Sequence, residues 1–220
     1  MTVTVQAEPA KSTRQLEREW WLRTLEVLRR PRAVFEALRD DSPEAASAMQ
    51  EPMTGLVFLT GISIFLSTST ASRLFDDFEF DALLVVFQAI FAGMLVALQN
   101  FWVIGGALAL GVRGAEGEGS YRQARHLVGL ATAPFLVSLV LVWPVRLAIF
   151  GGDLFRSGGS DAGTGGLVFR ALDVVFLVWA LTLVVLGVRT VHEWSWRRAL
   201  AASALTGVFV GLAVALFLFV

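Results

Sequence analysis

The 220-residue sequence contains no cysteine. Disulfides, thiolate metal sites and a cysteine nucleophile are therefore excluded, and the redox compartment is left open. Charge is scarce as well: 17% of residues are Asp, Glu, Lys or Arg, whereas a soluble domain carries about a quarter. Lysine is almost missing. Lys11 is the single one among 18 Lys+Arg, which leaves 17 Arg, a bias that suggests a GC-rich, bacterial genome. The two histidines, His126 and His192, give no metal-ligand spacing even with Glu193 beside the second. No phosphate loop, HExxH or GxSxG occurs. No catalytic, cofactor-binding or metal-binding residue is assigned, and the chain is expected not to be an enzyme. A formal net charge of −1 leaves no positive excess to meet phosphates, which argues against a nucleic-acid partner. No short apolar core with a small-residue cleavage site occurs in residues 1–52, so the first long apolar run is expected to serve as a retained membrane signal.

What the sequence has in quantity is apolar surface. Hydrophobic residues make up 55% and mean hydropathy is +0.66. Five stretches, at residues 53–71, 83–111, 127–150, 167–187 and 199–220, are near or above the roughly 20 residues that cross a hydrocarbon core as helix. Helix is the only sensible assignment, because backbone facing lipid must satisfy its own hydrogen bonds. The expected fold is an all-α polytopic membrane bundle of about five transmembrane helices over residues 53–220. An amphipathic cytoplasmic N-terminal segment, residues 1–52, precedes it. The second stretch is too long for a perpendicular crossing and should tilt. Pro134 and Pro144 fall inside the third and should kink or end it. Residues 157–166 (SGGSDAGTGG) read as a flexible linker.

Orientation follows from the distribution of arginine. Residues 1–52 hold Lys11, Arg14, Arg18, Arg23, Arg29, Arg30, Arg32 and Arg39. The first connecting loop has Arg73 against Asp76, Asp77, Glu79 and Asp81, and the third has only Arg156. The second holds Arg113, Arg122 and Arg125, and the fourth Arg189, Arg197 and Arg198. Rich and poor segments alternate, which puts the N-terminus in the cytoplasm and the C-terminus outside.

Within the N-terminal segment, residues 16–29 are rich in Leu, Trp and Arg, and a second short helix should start at Pro31, a favoured first helical residue. Trp20 and Trp21 are candidate interfacial anchors, because amphipathic rings suit a headgroup layer. The segment is expected either to lie on the bilayer as an interfacial helix or to pack on the bundle as a cytoplasmic cap.

Three features inside the spans invite explanation. Ser203, Gly207, Gly211 and Ala215 place a small residue at every fourth position of the fifth stretch, a helix-packing face. Packing against another span is the simpler reading; a homodimer is the other. Thr60, Ser63, Ser67 and Thr70 share one face of the first span, and Gln88 and Gln99 share one face of the second. Such residues are usually interhelical glue and could otherwise line a polar path. Arg146, Arg170 and Asp173 are ionisable groups inside spans three and four, costly unless paired. They are expected to form an intramembrane charge pair, Asp173 with Arg146 or Arg170.

Several local pieces have a family character: Pro31-x-x-x-Phe35 before the first span, GEGSYR at 117–122, Pro134, Trp179, and Gly187-Val188-Arg189 leading to His192 and Ser195. With the five-span plan, the region from about residue 28 onward resembles the Yip domain family, the Ypt/Rab-interacting membrane proteins and their prokaryotic relatives. Where eukaryotic members carry an Asp-Leu-x-Gly-Pro segment, this chain has MQEP at 49–52. The resemblance implies a non-enzymatic membrane scaffold or accessory protein, working in the lipid bilayer with a membrane-protein partner, and transfers no catalytic residues. The alternative is a small transporter or channel component using the polar faces of spans one and two.

Overall fold

A computed structural model of the chain describes residues 13–77 and 79–219, without the side chains of Thr13, Val214 and 216–219. Lys11, and Val220 at the end of the fifth apolar stretch, lie outside the described residues. Every regular element among those described is helical: α1 (Thr13–Glu26), α2 (Pro31–Ala37), α3 (Pro43–Leu66), α4 (Ala82–Leu98), α5 (Gly105–Gly114), α6 (Tyr121–Ala131), α7 (Ala133–Val137), α8 (Trp143–Phe150), α9 (Thr164–Val191) and α10 (Trp196–Phe219), with short 3-10 and π turns between some of them.

Four helical runs are long and apolar enough to cross a membrane: Pro43–Leu66, Ala82–Gly114, Tyr121–Phe155 and Thr164–Val191. The fifth apolar stretch of the sequence lies in α10, which packs on α5 and α9. Large apolar side chains stay exposed along the outer flanks of these helices, among them Leu83, Phe87, Ile90 and Leu95 of α4 and Val174, Val178 and Leu181 of α9. So large a continuous apolar exterior is what a bilayer covers.

Local chemistry explains the boundaries. The first span starts at Pro43, upstream of its apolar core, because Ser42 accepts a hydrogen bond from the Ala45 amide, Pro43 occupies the first turn and Glu44 follows at the positive end of the helix dipole. Pro52 lies inside that helix. Asp81 caps α4 by accepting from the amides of Leu83 and Leu84. Ser120 does the same for α6 through Gln123. In the third span, each proline opens a new segment: Pro134 stands in the first turn of α7, and Pro144 in the first turn of α8, directly after a π turn at Ser138–Val142. A ring without an N–H cannot continue the preceding ladder, so the span is broken into three pieces.

That third span is the centre of the bundle. His126, Leu127, Val128, Gly129, Leu130 and Ala131 are consecutive and all buried, which requires neighbours on every side of the helix. α3, α5 and α9 supply them. The second span divides its contacts. α4 lies against α3, and after the π turn Gln99–Ile104 the chain continues as α5, which lies against α6 and α10.

Close helix approaches rest on glycine at two crossings. A β-carbon at Gly93 would stand 2.7 Å from Ile62 Cγ1 and 2.8 Å from its Cα, while one at Gly61 would strike the Gly93 carbonyl. A β-carbon at Gly111 would run into Thr206 and the Ala202 carbonyl of α10. The face of α10 that meets α5 is thus the one bearing Ala199, Ala202 and Thr206. Of the expected packing face Ser203, Gly207, Gly211 and Ala215, the described residues leave the two glycines open, while Ser203 and Ala215 are half-buried. Nothing lies within 4 Å of a β-carbon built at Gly207 or Gly211, because that stripe points away from the α5 contact.

Two substitutions separate these faces. Gly93→Ala should lower unfolding stability in detergent by about 1–3 kcal/mol, since the Ile62 backbone cannot withdraw. Gly207→Leu should leave thermal unfolding in the same detergent unchanged. A loss at Gly207 as large as that at Gly93 would show that the α10 stripe is covered.

Candidate functional site

The spans run antiparallel, so the start of α3, the end of α5, the start of α6, the end of α9 and the start of α10 meet at one end. Arg39, Arg113, Arg122, Arg125, Arg189, Arg197 and Arg198 gather there, and we call it the basic end. The N-terminal helix pair is docked onto it. α1 lies along α3, with Trp20 only 2% exposed and Thr24 and Val27 buried; α2 lies along α9, with Val34 and Phe35 buried. The expectation that both tryptophans anchor in headgroups is corrected for Trp20, whose ring belongs to the core and carries the Arg23 guanidinium 4.9 Å from its centre. Trp21, one residue or 100° further round the helix, is exposed together with Arg18, Leu22 and Leu25. One face of α1 therefore packs on the bundle as a cap, while Arg18, Leu22 and Leu25 stay exposed and the Trp21 ring, half out of the bundle, reaches Gly55 of α3.

Polar contacts fix the helix pair. Arg39 donates from Nε and Nη2 to the Thr190 carbonyl at 3.1 and 2.7 Å, and from Nη1 to Glu193. The last turn of a helix has carbonyls without intrahelical partners and a negative dipole end, and an arginine answers both. Arg122 donates to the Asp41 carboxylate at 2.8 Å and to the Asp41 carbonyl, and Gln123 donates to the Leu38 carbonyl at 3.0 Å. Burial opposes ionisation of Asp41, but the hydrogen bonds from Arg122 and Ser120, together with the Arg122 charge, hold its carboxyl below the usual range.

The two short loops at this end interlock as well. Gly117 leaves room for the Trp194 ring and Gly119 for the His192 ring, whose centres are 4.9 Å apart. Arg198 donates to the carbonyls of Ala115 and Glu116, and its guanidinium lies 4.2 Å from the centre of Trp194. Gly187 admits Leu127 and Phe35. Phe35, Gly117, Gly119, Arg122, Gly187 and His192, residues from separate motifs of the sequence, thus form one joint between the N-terminal pair, α6 and α9.

Beside this joint a cavity of about 670 Å³ opens between α3, α4, the π turn and α6. Arg122, Arg125 and His126 line its polar side, and Met53, Val57 and Leu98 its apolar side.

At the opposite end, Arg146 lies between two carboxylates, Nη1 to Asp173 and Nη2 to Asp161, both at 3.4 Å. Ser67 donates to Asp173 at 3.3 Å, and Arg170 donates to the Asp161 carbonyl at 3.3 Å rather than to Asp173. Two arginines face two aspartates, so the cluster is neutral. Asp161 was hidden in the stretch expected to be a flexible linker. That stretch is folded instead: Ser157 donates from both N and Oγ to the Asp76 carboxylate at 2.6 Å, and Asp161 is tied to Arg146. Those two hydrogen bonds hold the Asp76 carboxyl below its usual range.

The polar face of span one is used for packing. The Thr60 and Thr132 hydroxyls share a hydrogen bond of 3.1 Å, Ser63 is fully buried and Ser67 serves Asp173. Thr70 and Gln99 are exposed and Gln88 is half-buried. No group of three metal-ligating side chains occurs among the described residues.

A bundle with four membrane-length helices, a third span enclosed along His126–Ala131 and a continuous apolar exterior defines a multi-pass integral membrane protein. A family model described as the Yip1 domain matches residues 25–218, and the chain belongs to the Yip1 domain family. No curated protein and no solved structure matches it.

Two measurements probe these contacts. Burial pushes the His192 imidazole below its ordinary value and the Arg198 charge adds to this, while a hydrogen bond with the Glu118 backbone opposes both. A histidine held neutral in the fold contributes stability above its unfolded pKa of about 6.5 that is lost as pH falls. Melting temperature in detergent should therefore drop between pH 7.5 and 5.5, and His192→Gln should flatten the drop. In the ionic cluster, Asp173→Ala should lower the melting temperature because it strands Arg146. Adding Arg146→Ala should recover part of the loss, and strict additivity in that cycle would mean the two groups do not couple.

Proposed function

We propose that the protein is a non-enzymatic membrane scaffold or accessory protein whose partner-binding surface is the basic end. The observation that carries this reading is the docking of α1 and α2. Segments that merely trail into solvent do not bury Trp20 and Phe35 or lock an arginine onto the last turn of a distant span. Here the N-terminal pair and both short loops form one rigid surface, with Arg29, Arg30, Arg32 and Glu36 exposed on it. By the arginine asymmetry this surface is cytoplasmic, with the C-terminus outside. Of the polar residues of spans one and two, which a transporter would need for a path, Thr60 and Ser67 are engaged with Thr132 and Asp173, Thr70 and Gln99 are exposed, and Ser63 is buried alone, so they form no connected row, which favours the scaffold.

Reporter fusions test the orientation. Those after Glu118 and Glu193 should read inside and those after Asp77 and Gly163 outside; an inside signal at Gly163 overturns the topology. For the role, affinity purification from native membranes in mild detergent should recover a membrane-protein partner in fixed stoichiometry. Reversing charge at Arg29, Arg30 and Arg32 to Glu should abolish recovery while melting temperature stays the same. Undiminished recovery would exclude this surface. Solute uptake by the protein reconstituted alone would favour the transporter reading.

A further inference from the structure

The cavity beside the basic end holds a cation that the fold does not neutralise. Arg125 projects from the second turn of α6 into a cage of three rings, its guanidinium carbon 3.9 Å from the centre of Trp102, 5.0 Å from Tyr121 and 5.1 Å from Phe101. No carboxylate among the described residues reaches it, and its buried Nε has no hydrogen-bond partner. Its neighbour Arg122 is different, being paired with Asp41. Stacking on rings satisfies part of a guanidinium, but the N–H edges still want an acceptor, and a half-buried cation without a counter-charge is stabilised by an anion.

The geometry of the cavity says which anion. Its volume of about 670 Å³ lies well inside the range of about 300–1,000 Å³ for organic ligand pockets, more room than a free phosphate fills. Ser47, Gln50 and Thr54 line the α3 side toward the basic end, and beyond them the walls are apolar, from Met53, Val57 and Phe58 of α3 and Met94, Ala97 and Leu98 of α4. Met94 and Leu98, two of the lining residues, are 41% and 48% exposed on the flank of α4 that belongs to the apolar exterior. The cavity is therefore continuous with the layer where acyl chains lie, while its charged side sits level with the ends of the spans. The rings that hold Arg125 come largely from the π turn Gln99–Ile104, a helix distortion that often marks a site of function.

We propose that this cavity is a binding site for one anionic glycerophospholipid of the leaflet at the basic end, its phosphate at Arg125 and an acyl chain against Val57, Met94 and Leu98. This goes beyond the scaffold reading and stands or falls separately from it.

The full chain, purified in mild detergent, is titrated with phosphatidylglycerol or phosphatidylcholine and read by native mass spectrometry. One phosphatidylglycerol per chain should be retained about tenfold more tightly than phosphatidylcholine, a difference of about 1.4 kcal/mol. Arg125→Gln should remove that preference, Arg125→Lys should restore part of it, and Arg113→Gln, at the same end but outside the cavity, should leave it intact. Equal retention of the two lipids, or a preference that survives Arg125→Gln, overturns the proposal. So does displacement of the bound lipid by millimolar inorganic phosphate, which would identify a soluble-anion site. A measurement on the unsubstituted cavity guards against a variant that fails to fold: phosphatidylglycerol brominated in its acyl chain should quench emission from Trp102. The Trp102 signal is taken as the difference between the native chain and Trp102→Phe, and a difference that bromination leaves unchanged overturns the site.

Discussion

Carbonyl groups at the end of a membrane helix have few ways to be satisfied, and the capped end of this bundle is organised around one of them. Arg39 closes the last turn of α9 from a position 151 residues earlier in the chain. That contact holds α2 in place, α2 brings Phe35 against Gly187, and the stretch after α2 brings Asp41 to Arg122. Arg198 applies the same chemistry to the carbonyls that end α5 and its loop. Arginines of the basic end are thus also the ties between its helix ends. Their replacement by lysine would keep the charge and lose the forked geometry.

Hydropathy made the helices legible, because long apolar runs without strand-like alternation cross a bilayer as helix. Segment starts were partly legible too: Ser42-Pro43-Glu44 is a helix-opening signature, but it lies outside the apolar core and was overshadowed by it. The role of Asp161 was not legible. Its neighbours are glycine and serine, a composition that suggests a coil, and nothing local shows that Arg146 is waiting for it. Trp20 and Trp21 show the same limit at finer scale, since adjacent rings of identical chemistry are separated only by which side of α1 the bundle occupies. The π turns in spans two and three were invisible, because they arise from packing and from proline placement rather than from any residue preference for that geometry.

The two ends of the bundle handle charge in opposite ways. At the far end Arg146, Arg170, Asp161 and Asp173 cancel one another in a cluster around the buried Arg146, whose guanidinium lies over the Trp143 and Phe169 rings. At the basic end positive charge is in excess, some of it committed to carbonyls and to Asp41 and Glu193, the rest exposed or caged by aromatic rings. A protein built to conduct would need its ionisable groups along an axis. Here they are separated by the dry middle of α6, where Leu127 through Ala131 are surrounded on every side.

The first membrane helix also bears on how the bundle is assembled. Pro43–Leu66 is the least apolar of the four membrane-length runs, and together with Tyr121–Phe155 it is the most enclosed by protein. Thr60 at its centre and Ser67 at its end are matched to Thr132 and Asp173, and Gly61 to Gly93, all of which are synthesised after it. Alone in lipid it would be a weak span with unmatched hydroxyls. During biogenesis this helix must be held at the insertion machinery, or sit loosely in the bilayer, until spans two to four arrive. Integration of the chain is then cooperative, and a fault late in the sequence would be felt as misplacement of its earliest span.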